Sequence, residues 1–300
     1  MFSPILEYGF PGCRIDRVSE LEGGVSARAV VVDLVLAGST FRRVVVRRPR
    51  RGTAEATRGA LRAEFALLGW CRRVGVPAPQ PYFVDERRGA IVLEYIEGEV
   101  ELSFSGLESR ISQMAEQLAR LHQFPVGSEL SFLESRSTSA ERDIHESPLA
   151  LDASLNEAEL RSRLRRLWPW AQHNPEVLLH GDYWPGNLLW REGKLVAVLD
   201  WEEPAVGDPL ADLAIARLDV LWAFGEAAMQ RLTECYRAVS RIEWSQLPHW
   251  DLWAALRPMS RLARWAPAYA TPHLSRPDVT ELSMRQGHRR FVEQALANLR

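Results

Sequence analysis

The sequence is short of several things, and each shortage removes a class of protein. Cysteine is scarce: Cys13, Cys71 and Cys235 are odd in number and far apart, which fits reduced thiols better than a disulfide framework or a zinc cluster. No apolar run approaches the roughly 18 residues of a membrane span, and the stretch 29–37 is broken by Asp33. The opening residues, M-F-S-P-I-L-E-Y, lack a basic segment leading into an apolar one, so no secretion signal, no membrane partner and a cytoplasmic location are expected. Neither sign of charge is in excess. A formal balance of -2 argues against a general nucleic-acid binder. What is present is 300 residues, 46% of them hydrophobic, enough to bury a substantial core in one large or two modest domains.

The densest chemistry lies between Val177 and Asp208. V-L-L reads as a short strand, H-G-D-Y-W-P-G-N as a polar loop, and L-L-W-R-E-G-K-L-V-A-V-L-D as a hairpin turning at Gly193. Antiparallel pairing across that turn brings Asn187 and Asp200 out together at the open end, beside Asp182. One amide and one carboxylate with a second carboxylate nearby suit magnesium, which takes few protein oxygens and completes its shell with water and phosphate. An H-x-D alone, or an Asp ending a strand, is most often a turn residue satisfying backbone. Fixed spacing within a strand, loop and hairpin changes that weighting.

His180-Gly181-Asp182 with Asn187 and the later Asp200-Trp201-Glu202 resembles the aminoglycoside phosphotransferase and choline kinase-like family. Its signature is H-G-D-x-x-x-x-N followed by D-W-E or a similar triplet, and it shares the Asp-to-Asn spacing of protein kinases. The resemblance implies an α+β, protein-kinase-like two-lobed fold: a small β-rich N-lobe over 1–97 that binds nucleotide, and a larger helical C-lobe over 98–300 with the catalytic loop and acceptor site. It implies Asp182 as the catalytic residue, Asn187 and Asp200 as ligands of Mg2+, and ATP or GTP as phosphoryl donor to a small-molecule hydroxyl.

The N-terminal third supplies weaker signals in the matching order. Alternation predicts strands over 13–21, 27–37 and 41–47, with Glu22-Gly23-Gly24-Val25-Ser26 as a tight turn. Such a turn usually closes a hairpin; in the resembled family a loop here, with Gly23, Gly24 and Ser26, covers the nucleotide phosphates. Six arginines fall within 42–51, but Val44-Val45-Val46 inside the run reads as a buried strand, without interleaved aromatics for base stacking. The family places a phosphate-gripping cation at Arg47, where kinases use Lys; Arg48 faces the other way on the strand and is the second choice. A helix follows over 53–74, and Glu64 sits on its apolar stripe of Leu61, Phe65, Leu68 and Cys71. A carboxylate there wants a cation, giving an Arg47–Glu64 pair like the kinase strand–helix pair; otherwise Glu64 is a half-exposed margin residue. A strand over 90–95 leads to Gly98, and the resemblance makes this the hinge, with backbone near Glu94 and Ile96 on the adenine edge.

Beyond it, Ser105-Gly106-Leu107-Glu108 reads as a capping box opening a helix that ends at His122, a buried structural histidine. The chain over 123–152 reads as polar and irregular, a segment able to rim a site and select substrate. A helix over 155–170 should carry Arg161, Arg163, Arg165 and Arg166 on a solvated face. Asp208-Pro209 is a strong helix start, and the tryptophans after it read as core, some able to wall an acceptor pocket. Glu202, Glu203 and the acids of 141–159 would suit a cationic amino sugar, or equally flank the metal or solvent.

Three rivals fall short or remain to be tested. Seven residues between Asp200 and Asp208 are too few for a peptide-docking activation segment, and no A-P-E follows, which disfavours a protein kinase. Gly24-Val25-Ser26-Ala27-Arg28 lacks the second glycine of a serine-hydrolase elbow. A nucleotide-binding regulatory module without transfer would be favoured by missing metal ligands, yet all are present. Acceptor identity and oligomeric state stay open.

Overall fold

The computed structural model describes residues 2–21, 27–36, 40–49, 54–146 and 148–299. They fall into two compact units: Met1–Gly98 with Val196–Leu199, and Glu99–Leu195 with Asp200–Arg300.

The first unit is built on an antiparallel sheet. Its elements are α1 (Ser3–Gly9), β1 (Arg14–Glu20), β2 (Ala27–Val35), β3 (Phe41–Pro49), α2 (Ala54–Arg73), β4 (Pro81–Asp85) and β5 (Ala90–Glu94). The strand order is β1-β2-β3-β5-β4, so β3 lies in the centre, paired with β2 on one side and β5 on the other. Strand alternation decides what is buried. Val30, Val32, Leu34, Val44, Val46, Ala90 and Val92 form one core with Ile5 and Leu6 of α1. At roughly 25 cal/mol per Å2 of apolar surface, this β-branched layer is the main force holding the arginine-rich β3 in the middle of the sheet. Gly23, Gly24 and Ser26 lie outside the described residues.

The second unit is mainly helical, with α3 (Leu107–Leu121), α4 (Arg136–His145), α5 (Glu157–Leu167), β6 (Val177–Leu179), β7 (Leu188–Arg191), β8 (Lys194–Val198, whose last three residues are assigned to the first unit), β9 (Ala205–Gly207), α6 (Pro209–Phe224), α7 (Glu226–Val239), α8 (Leu247–Ala254), α9 (Leu262–Tyr269) and α10 (Glu281–Asn298). β7 and β8 make the expected hairpin, and β6 pairs with β9. α6 is the axis. Every residue from Pro209 to Ala223 is buried, the pattern of a core helix. Asp208 caps it as expected: its side chain accepts from Leu210 N–H at 2.9 Å and Pro209 opens the helix.

Three local expectations are corrected. Ser105 forms no capping box; Gly106 is the N-cap of α3, in the left-handed region at φ 68 without a side-chain cap. The stretch 123–152 contains α4, hidden because Ala140 and Ile144, both buried, are its only apolar residues. α5 is shorter than 155–170 because residue 168 precedes a proline, which disfavours helix, and its arginines are not all solvated. Arg161 is buried against Glu157 at 2.7 Å, whereas Arg163 pairs with Glu159 on the surface. The three cysteines are free thiols. No helix among the described residues is long and apolar enough to cross a membrane.

Candidate active site

The loop after β6 is held from behind by a buried carboxylate. Asp212, one turn into α6 and fully buried, accepts His180 N–H at 2.6 Å and Gly181 N–H at 2.8 Å. His122 at the end of α3 stands 3.4 Å from the same carboxylate and 2.7 Å from the Tyr236 hydroxyl. Burial pushes the Asp212 carboxyl up, but the hydrogen bond and field of His122, the field of His180 and the Gly181 N–H outweigh it and hold it below its ordinary value. The expected structural role of His122 is therefore specific: it braces the residue that braces the loop. Tyr183 adds a second anchor, its buried hydroxyl donating to Met114 C=O at 3.0 Å.

Gly181 is required by its surroundings. Its φ is +83, and a Cβ there would lie 1.8 Å from the Glu203 carbonyl oxygen. That carbonyl is itself fixed, because Arg136 donates to it at 3.0 Å. The loops 180–182 and 202–204 thus approach as closely as backbone can.

Asp182 and Asn187 meet as the spacing predicts. Asn187 Nδ2 donates to the Asp182 carbonyl at 2.9 Å and to Asp182 Oδ2 at 3.1 Å. Spending its N–H groups on Asp182 turns its amide oxygen away from that carboxylate, the orientation a hard cation needs. Asp200 is exposed, just past β8, in the left-handed region at φ 62. Its neighbour Trp201 is buried against the ring of His180, centroids 4.5 Å apart, which ties the start of the 200–203 segment to the loop after β6. Among the described residues no three His, Cys, Asp or Glu side chains cluster as a metal site; the expected set is an amide with a carboxylate.

Sequence reasoning missed the partner of Asp182. Arg257, in the turn after α8, donates through Nη2 to Asp182 Oδ1 and through Nη1 to Asp219 Oδ2, the latter at 3.2 Å. Asp219 lies seven residues after Asp212 on α6, the same helix face two turns on. Burial raises its carboxyl to about 7, with Arg257 opposing and the charge of Asp182 adding to the rise. Burial works against the Arg257 cation, but Asp182, Asp219 and Glu203 outweigh it and hold the guanidinium more firmly protonated than usual. Arg257 and Gly181 line a cavity of about 660 Å3 that also meets Arg136, Asp143, Glu202, Glu203 and Trp253. From the stretch 123–152, expected to rim a site, Glu134, Arg136, Ser139, Asp143 and Glu146 line this cavity, as do Glu202, Glu203 and Trp253.

In the first unit Arg47 on β3 forms an ion pair with Glu64 on α2, both side chains largely buried. Arg48 instead donates to Arg88 C=O at 2.9 Å on the surface. Of the two candidates, Arg47 is the inward one. Glu94 ends β5, its N–H donating to Gln80 C=O at 2.8 Å; Ile96 follows it, half-buried, outside the strand.

A five-stranded antiparallel unit with a strand–helix Arg–Glu pair, and a helical unit carrying H-G-D-x-x-x-x-N ahead of a hairpin, define the protein-kinase-like fold. Residues 17–247 match the Phosphotransferase enzyme family, and the chain belongs to that family. Among curated relatives, human Acyl-CoA dehydrogenase family member 11 is 26% identical over 250 residues, 72% of this chain and 32% of that protein. Protein LicA of Haemophilus influenzae is 31% identical over 151 residues, 47% of this chain and 54% of that one. The chain thus spans about a third of the length of the dehydrogenase relatives. Among solved structures, a macrolide 2'-phosphotransferase type I shares the fold at TM-score 0.63 and 18% identity, covering 99% of this chain and 96% of that chain. The choline kinase LicA of Streptococcus pneumoniae does so at 0.58 and 18%, covering 99% and 98%.

Proposed function

We propose that the chain is a magnesium-dependent phosphotransferase that moves the γ-phosphoryl of ATP, or of GTP, to a hydroxyl of a small molecule. The observation that carries this is the state of Asp182: fixed by Asn187 on a loop pinned to α6, and flanked by two residues, Gly181 and Arg257, that line a cavity of about 660 Å3. A cavity of that size accepts a metabolite or an antibiotic. The structural likeness to a macrolide phosphotransferase and a choline kinase supports a small-molecule alcohol as acceptor, and family membership supports a nucleoside triphosphate as donor. ATP supply and free thiols make the cytoplasm the proposed compartment.

In this reading Asp182 receives a hydrogen bond from the acceptor hydroxyl and takes its proton as the new O–P bond forms, while ADP departs with the electron pair of the broken bond. The transition state is loose, so orientation counts for more than basicity. Asn187, through its amide oxygen, and Asp200 would hold magnesium, which neutralises charge on the phosphate oxygens. Arg47, oriented by Glu64, would grip phosphate as a two-pronged donor, with Gly23, Gly24 and Ser26 as further candidate nucleotide contacts; backbone near Glu94 and Ile96 would take the adenine edge. A coupled assay for ADP release, run across a library of small-molecule alcohols, tests the proposal. Asp182→Ala is expected to keep nucleotide binding and lose turnover by about 10²-fold or more. Tight ATP binding by the wild type with no release under any acceptor would instead mark a regulatory module.

A further inference from the structure

Arg257 belongs to no motif, yet it is the cation that touches the proposed catalytic carboxylate. Its position is over-determined. Asp219 is only 7% exposed and rises from the same face of α6 as Asp212. One face of one buried helix therefore supports the catalytic loop twice: Asp212 through the backbone N–H groups of His180 and Gly181, and Asp219 through Arg257. The side chain of Asp182 is then gripped on both oxygens, Oδ2 by the Asn187 amide and Oδ1 by the Arg257 guanidinium. Each carboxylate oxygen has two lone pairs, so both grips leave room for an incoming hydroxyl. Because Arg257 also lines the cavity and feels the charge of Glu203, it stands where that hydroxyl would approach.

Resting on the proposed function above, we infer that Arg257 is a positioning residue for phosphoryl transfer: anchored on Asp219, it sets the rotamer in which Asp182 receives the acceptor hydroxyl. A loose transition state gains little from a stronger base and much from alignment, and a misplacement of about 1 Å costs about 10²-fold in rate. An Arg fits this task better than a Lys, because its planar fork bridges two carboxylates in one fixed geometry.

The test compares Arg257→Met, Arg257→Lys and Arg257→Ala with the wild type in ADP release from MgATP, with water and with the best alcohol of the library as acceptor. Arg257→Met is expected to lose about 10²-fold in kcat with the KM for MgATP nearly unchanged, and Arg257→Lys to lie between. Added guanidinium ion, at concentrations that leave the wild type unaffected, is expected to restore part of the lost kcat of Arg257→Ala, a response that a merely structural residue would not show. If Arg257→Met or Arg257→Ala does not fold by far-UV circular dichroism, the Lys variant carries the test on kcat alone. A fully active Arg257→Met or Arg257→Lys, a loss confined to KM, or a folded Arg257→Ala that guanidinium leaves inert overturns this assignment and leaves the proposed function standing. A wild type that releases no ADP with water or any alcohol overturns both.

Discussion

Asp212 offers the sharpest test of how the loop is built. Replacing it with Ala orphans the N–H groups of His180 and Gly181, both in a region without solvent access. Each unsatisfied buried donor costs about 1–3 kcal/mol, so the two together cost about 2–6 kcal/mol. His122 also loses one of its two partners, keeping the Tyr236 hydroxyl. Asp212→Asn should fall in the lower half of that range, because one oxygen remains and the new amide N–H faces a backbone donor. Against a typical stability of about 5–15 kcal/mol, either variant should fold with a lowered urea midpoint. Tryptophan emission is the natural probe: of 11 tryptophans only Trp70 lies in the first unit, so the signal reports the helical unit almost alone. A midpoint change worth less than about 1 kcal/mol at unchanged m would show that the loop does not depend on Asp212 of α6.

Other consequences are as specific. Gly181→Ala places a methyl 1.8 Å from the Glu203 carbonyl at a φ of +83; it should abolish turnover and cost about 1–3 kcal/mol of backbone strain, read by the same melt. Asp219 has a folded value of about 7 against about 3.9 unfolded. The folded chain therefore holds the extra proton between those values, and its stability falls as pH rises from about 4 to about 7. Asp219→Asn lacks that proton equilibrium, so the wild type should lose up to about 3 kcal/mol relative to it between pH 5 and pH 8, checked by paired urea melts; parallel curves would contradict it. Arg47→Met leaves Glu64 without its cation on a largely buried face and should raise the KM for ATP about tenfold or more while leaving the acceptor KM unchanged, measured by initial rates.

What was legible in the chain was local. The strand Val177–Leu179, the hairpin after it and the N-cap at Asp208 announce themselves through turn glycine, apolar alternation and the Asp-Pro pair. Arg47 and Glu64 could be matched because a carboxylate on an apolar stripe needs a cation and the preceding strand supplies one. α4 was illegible because its sequence is polar almost throughout and tertiary packing, not periodicity, makes it a helix. Arg257 was illegible for a different reason. It sits 75 residues from Asp182 and 38 from Asp219, so no spacing rule joins them. Only the packing of α6 brings those three side chains together, and a buried Asp such as Asp219 reads in sequence like any helical surface acid.

In the proposed function this chain makes a phosphate monoester and Asp182 directs the transfer. Phosphorus NMR of a reaction containing the enzyme, MgATP and an alcohol that stimulates ADP release tests it most directly. A growing monoester resonance, stoichiometric with ADP, is expected with the wild type, and none with Asp182→Ala. Inorganic phosphate as the sole product with every alcohol, or a monoester formed equally fast by the Ala variant, would contradict it.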